Sequence, residues 1–136
     1  MKVFLDASCL VPFVVSSDQW HPRLIRIVTG LSATGRPEFV TTNWTYFEAL
    51  AITNRAGRRF VDRLRQFVDS EVGCHRVPAA TEDEALSRFF AWADKGASVV
   101  DHANLLVAQA VGCEAILTFD EDFVPIARGT ALRVLR

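Results

Sequence analysis

Apolar positions along the chain fall into short unbroken runs and longer spaced runs, and the two kinds alternate. Val3-Phe4-Leu5, Phe39-Val40-Thr41, Ala115-Ile116-Leu117-Thr118-Phe119 and Leu132-Arg133-Val134-Leu135 read as short strands. Between them, Leu24, Ile27, Val28 and Leu31 recur at spacings of three and four and predict a helix over 21–31. Residues 7–15 suit a short helix whose regularity Pro12 limits. Phe47, Leu50 and Ala51 mark the apolar side of a further helix, capped by Thr42 or Asn43. Phe60, Val61, Leu64, Phe67 and Val68 form one stripe of a helix over 58–72, opposite Arg59, Arg63, Gln66 and Asp69.

His75-Arg76-Val77 is read as a brief strand ended by Pro78. Thr81 with Glu84 three residues on is a capping box, opening a helix that carries Leu86, Phe89, Phe90 and Ala93 until Gly96. Ser98 with Asp101 is a weaker capping pattern for a helix through Leu106, Val107, Ala110 and Val111, stopped by Gly112. Strands separated by helices predict an α/β fold, with helices against a mostly parallel sheet. No repeat or linker interrupts the pattern, so residues 1–136 are expected to form one domain.

Composition supports this picture and narrows it. Half of the 136 residues are hydrophobic and 23% are charged, and ten Phe with three Trp supply a core that needs no staple. Cys9, Cys74 and Cys113 show neither a disulfide framework nor a zinc spacing, which suits a reducing compartment. Asp6 breaks the first apolar run after three residues, too early for an export signal or a membrane span. A cytoplasmic protein is expected. The net charge of −1 gives no general attraction to nucleic acid, so any such contact needs a local basic surface.

Four acids stand at telling places. Asp6 directly follows the first strand, and Asp120 follows the strand at 115–119 in the same way. In open parallel sheets, ligand sites form beyond the carboxyl ends of the strands. Asp101 occupies the first turn of its helix, and Glu48 interrupts the apolar stretch Tyr46-Phe47-Glu48-Ala49-Leu50. Each has a plain alternative: Asp6 as a helix cap, Asp101 as a partner of the helix dipole, Asp120 as a turn residue, Glu48 as a solvated side chain. Their combination and order carry more.

In that order the segments Val3-Phe4-Leu5-Asp6, Val40-Thr41-Thr42-Asn43 with Phe47-Glu48-Ala49-Leu50, Ser98-Val99-Val100-Asp101-His102-Ala103, and Ala115 through Phe123 resemble the PIN-domain family. Within it they are most similar to the VapC-type toxins of bacterial toxin–antitoxin pairs. The resemblance spans nearly the whole chain. It implies a three-layer α/β/α sandwich and divalent-metal-dependent cleavage of RNA, leaving 5′-phosphate and 3′-hydroxyl ends. Asp6, Glu48, Asp101 and Asp120 then take the family's acidic roles. Asp6, Asp101 and Asp120 hold the metal, and Glu48 orients or deprotonates the attacking water. Asp122 is an auxiliary acid, and Ser98 and Thr118 match auxiliary hydroxyl positions. Val100 stands where the family often has Thr, which leaves orientation of metal-bound water to Ser98 or Asn104.

Hard carboxylate oxygens suit Mg²⁺ or Mn²⁺, one ion or a pair about 3.5–4 Å apart, and the lack of a Cys/His set argues against zinc. Arg55, Arg58, Arg59, Arg63 and Arg65 cluster around one helix start; Arg58 and Arg59 are candidate RNA contacts, or part of a solvated face. The resemblance further implies an RNA substrate, a cognate antitoxin protein docking near Trp20, and a homodimer. Three rivals remain open. One is a phosphotransfer or phosphohydrolase pocket, although Ser8 stands where a phosphoaspartyl hydrolase carries a second Asp. Another is a PIN-like binding module without catalysis, and the last is an RNA-processing nuclease outside toxin–antitoxin systems.

Overall fold

The computed structural model describes residues 1–93 and 96–136. In chain order they form β1 (Lys2–Leu5), α1 (Ala7–Val14), α2 (His21–Ser32), β2 (Glu38–Thr42), α3 (Asn43–Ala56), α4 (Arg58–Glu71), β3 (Val72–His75), α5 (Ala79–Ala91), α6 (Val99–Ala110), β4 (Ala115–Leu117), α7 (Phe123–Ala127) and β5 (Arg133–Leu135).

All five strands are parallel, in the order β3-β2-β1-β4-β5. Successive residues of a strand point to opposite faces, and the core divides accordingly. Val3, Leu5, Ala115 and Leu117 pack with α1 through α4 on one face. Phe4, Val40 and Ile116 pack with α6 and α7 on the other. The α/β fold expected from the alternating pattern, and the three-layer α/β/α sandwich that the resemblance implied, are therefore present. Helix α5 packs chiefly on α6 rather than on the sheet. Among the described residues no helix is long and apolar enough to cross a membrane.

The strand order places the site. From β1 the chain winds outward through β2 to β3, then returns to the far side of β1 as β4. The reversal opens a crevice at the carboxyl ends of β1 and β4, where the two strands lie side by side.

Several expectations are corrected. The strand expected at 75–77 is β3, three residues earlier, and it follows α4 with no loop residue between them. Val72 prolongs the helical series Leu64, Val68 and so reads as helix, but its backbone pairs with Phe39 in the sheet. Helix α5 begins at Ala79 behind Pro78, so Thr81 lies inside it and caps nothing; Glu84 instead pairs with Arg88 one turn on. Of its expected apolar stripe, Leu86 and Phe89 are partly exposed and Phe90 is 79% exposed, because α6 is its main neighbour. The side of α3 that is buried is Thr45, Ala49 and Thr53, not Phe47 and Ala51. Threonine hydroxyls satisfied by nearby groups let that face bury without large apolar side chains: Thr53 Oγ1 donates to the carbonyl of Ala49 at 2.9 Å. Short α7 was not anticipated, and β4 ends at Leu117 rather than 119.

Candidate active site

At the carboxyl edge of the sheet a cleft of about 570 Å³ is lined by Asp6, Ser8, Glu48, Ile52, Asp101 and Asp120, with Ala7, Gly96, Ser98 and Val100 completing its walls. The four acids singled out along the sequence thus converge on one cavity from β1, α3, α6 and the end of β4. Another hollow, around Arg36 and Glu71, holds none of them.

Asp6 is placed by the first strand and by the helix it starts. Its backbone amide still bonds across to the Leu117 carbonyl at 3.2 Å, and its Oδ2 accepts from the Ser8 amide as the N-cap of α1. The same oxygen accepts from Ser8 Oγ at 2.7 Å and from Thr118 Oγ1 at 3.0 Å. Each hydroxyl then accepts in turn from β4's extension: Ser8 Oγ from the Phe119 amide, Thr118 Oγ1 from the Asp120 amide. These two side chains weld the ends of β1 and β4 together beneath the cleft. The role of Ser8 was not read from the sequence, although an Asp followed two residues later by Ser at a helix start is a local hydrogen-bonding signal.

Asp101 completes a reciprocal cap at the start of α6. Its Oδ2 accepts from the Ser98 amide at 2.8 Å while Ser98 Oγ accepts from the Asp101 amide. Asp120 is folded into a tight turn in which its Oδ1 accepts from the Asp122 amide at 2.9 Å. The plain structural roles of these acids are therefore real. They also serve as anchors, because in each case one carboxylate oxygen is fixed to the scaffold by hydrogen bonds.

Glu48 is exposed on α3 at the cleft wall. Asp122 is half-buried against Gly96, where a Cβ would meet its Oδ1 at 2.2 Å. Asn104 does not face the cleft. It is fully buried, bonding Thr42 and Thr45 below it, so the expected help with water orientation at Val100 cannot come from Asn104. Ser98 lines the cleft and remains the hydroxyl nearest that role.

The electrostatics follow from crowding. Burial raises the pKa of Asp6 even against the lowering effect of its Ser8 and Thr118 hydrogen bonds. Burial, reinforced by Asp6 and Asp120, raises Asp101 to about 7. Glu48 is raised by desolvation first, then by the same two aspartates. Like charges forced together favour the protonated forms, and a cation reverses that preference. The donors are hard oxygens of the kind Mg²⁺ prefers. As the side chains stand, no group of three or more Asp, Glu, His or Cys that could hold an ion is present among the described residues, so enclosing one requires carboxylates to turn inward.

The basic residues sit further along. Gly57 adopts φ 140°, ψ 151°, a conformation reserved for glycine, and turns the chain sharply from α3 into α4. Arg55, Arg58 and Arg59 are exposed around this elbow. The Arg59 guanidinium lies 4.7 Å from the centre of the Phe60 ring. Trp20 is half-buried and stacks on Phe119, centroids 4.8 Å apart, as part of the core.

Known structures share the architecture. The chain superposes on the crystal structure of VapC20 from Mycobacterium tuberculosis, a sarcin-ricin loop cleaving toxin, with a TM-score of 0.79. The match has 24% identity over 96% of this chain and 98% of that one. PAE2754 from Pyrobaculum aerophilum matches with a TM-score of 0.59 and 19% identity, over 97% of this chain and 89% of that one. No protein-family model and no curated protein matches the sequence. The fold is PIN-like, as the order of the acidic segments implied.

Proposed function

We propose that this protein is a metal-dependent endoribonuclease, the toxin of a VapBC-type toxin–antitoxin pair. The observation that carries the reading is the convergence of Asp6, Glu48, Asp101 and Asp120 on one cleft at the reversal of strand order. The fold shared with a sarcin-ricin loop cleaving toxin supports the choice of substrate.

Asp6, Asp101 and Asp120 are the residues that would hold Mg²⁺ or Mn²⁺. When bound, such an ion neutralises charge on the scissile phosphate and acidifies a water molecule beside it. Glu48, whose proton affinity is raised by desolvation and then by Asp6 and Asp120, would take the proton from the attacking water. Ser8 and Thr118 hold Asp6 still, and Ser98 holds Asp101. Fixed carboxylates lower the reorganisation needed when charge develops on the phosphate. Asp122 supports the turn that presents Asp120. Arg58 and Arg59 would draw RNA phosphates toward the elbow beside the cleft.

The cognate antitoxin, a homodimeric state and a cytoplasmic setting belong to the same reading. Uncovered apolar surface at Leu86, Phe89 and Phe90 supports a protein partner. The test is purified protein on RNA with Mg²⁺ or Mn²⁺, beside Asp6→Asn and Asp101→Asn. Cleavage by the parent alone is expected. Equal cleavage by all three would assign the activity to another site, and phosphatase activity without RNA cleavage would revive the phosphohydrolase reading.

A further inference from the structure

A second hollow, of about 270 Å³, opens between α5, α6 and α7 and is lined by Arg88, Ala91, Trp92, His102, Leu105 and Ile126. It is smaller than the roughly 300–1,000 Å³ of pockets for drug-sized ligands and suits a single ring system. Its floor is aliphatic. One wall is the Trp92 indole, 38% exposed, meeting the His102 ring edge-on with centroids 5.6 Å apart. Arg88 stands at the side with its Nε held by Glu84.

The unusual group is His102. It is 2% exposed, and its Nε2 is the one buried side-chain nitrogen or oxygen without a hydrogen-bond partner among the described residues. An orphaned buried polar atom costs stability unless something else completes it. An aliphatic occupant would leave it orphaned, and an anion would find only an arginine already paired. A flat heteroaromatic ring satisfies every wall: a face for Trp92, an edge with donors and acceptors for Nε2, and apolar contact below.

The hollow is tied to the acidic cleft through the chain. His102 follows Asp101 directly on α6, Gly96 and Ser98 of the intervening segment line the cleft, and Ile126 belongs to the helix that begins three residues after Asp120. We propose that this hollow is a nucleobase subsite, in which Trp92 stacks on, and His102 hydrogen-bonds to, one base flanking the scissile phosphate. The proposal rests on the ribonuclease reading and adds to it the origin of base preference.

The experiment uses a short single-stranded RNA that the parent protein cuts at a mapped position, and the same RNA made abasic at each nucleotide flanking the cut. Binding is measured in a Glu48→Gln background to prevent cleavage. Abasic substitution at one position is expected to weaken binding about tenfold, the scale of one base–aromatic stack. Trp92→Ala and His102→Phe should weaken binding of intact RNA to a similar degree and leave the abasic RNA unaffected. Trp92→Phe should recover most of the loss. Intact and abasic RNAs weakened equally by Trp92→Ala, or no sensitivity to any abasic position, would overturn the subsite while cleavage by the parent keeps the nuclease. Absence of both cleavage and binding in the parent would instead defeat the nuclease reading, and the subsite with it. Because the abasic change is made in the RNA, a misfolded variant cannot imitate the expected result.

Discussion

Thr118 Oγ1 donates to Asp6 Oδ2 over 3.0 Å, joining residues 112 apart in sequence at the point where β4 and β1 end. The bond is buried, and the same hydroxyl accepts from the Asp120 amide, so a single atom positions two of the four cleft acids. Thr118→Val keeps the shape and removes both bonds. A loss of about 1–3 kcal/mol in denaturant unfolding is expected, because the Asp120 amide loses its acceptor and Asp6 Oδ2 keeps only its Ser8 donors. Thr118 also lowers the proton affinity of Asp6. The acid limb of the activity profile should therefore move to higher pH in Thr118→Val, which a purely structural loss would not do.

Asp101 makes the stability of the metal-free protein depend on pH. Its pKa is 3.8 unfolded and about 7 folded, so between those values the native state binds more protons than the unfolded one. Stability then falls as pH rises. The contribution is fully present below 3.8, declines from about pH 4 to pH 7, and is gone above 7. Its size is on the order of a few kcal/mol. Asp101→Asn keeps an acceptor for the Ser98 amide and removes the titration. It is expected to melt higher than the parent at pH 8 and to show a shallower decline, the remainder coming from Asp6 and Glu48, whose proton affinities burial also raises. A variant as pH-sensitive as the parent would place the titration elsewhere.

Divalent cation should undo the same penalty. Above pH 7 the ionised form of Asp101 is disfavoured by its burial, and an ion that binds only the folded state stabilises that state by mass action. Thermal melts at pH 8 with increasing Mn²⁺ or Mg²⁺ are expected to rise for the parent, and to rise far less for Asp6→Asn. A flat titration would favour the non-catalytic binding module.

The acids at strand ends were legible because an aspartate closing an unbroken apolar run has few structural reasons to be there. Their placement in one crevice was legible only through the resemblance, since nothing local tells β4 to lie beside β1. What escaped was whatever local chemistry disguised. Val72 continues a helical spacing yet belongs to a strand, and its register is set by Phe39 across the sheet. Thr45, Ala49 and Thr53 bury a helix face without a hydrophobic stripe. Ser8 looks like an ordinary residue of a helix start until Thr118 and the Phe119 amide arrive from the far end of the chain. Leu86, Phe89 and Phe90 read as core, but whether an apolar stripe is covered depends on how many neighbours its helix has.

The arginines at the α3–α4 elbow have their own signature. Arg55 follows Glu48 and Ile52 at helical spacings of four and three, so it continues the stripe that lines the cleft. Each phosphate contact on single-stranded nucleic acid contributes about 0.7 to the slope of log affinity against log salt. Neutralising Arg58 and Arg59 together should reduce that slope by about 1.4 while leaving the melting temperature nearly unchanged. An unchanged slope would return these side chains to a solvated face.

Gly96 offers a way to move Asp122 without mutating it. An alanine Cβ there would lie 2.2 Å from Asp122 Oδ1 and 2.6 Å from its Cγ, so the carboxylate must rotate away. The backbone of Asp122 stays in place, because its amide is held by Asp120 Oδ1. If the Asp122 carboxylate assists the cleft, Gly96→Ala and Asp122→Ala should lower RNA cleavage by the same factor, and the double variant should lose no more than either alone. Additive losses would show that Gly96 acts on the cleft directly, through the wall it shares with Ser98, and that the orientation of Asp122 is not what the substitution disturbs.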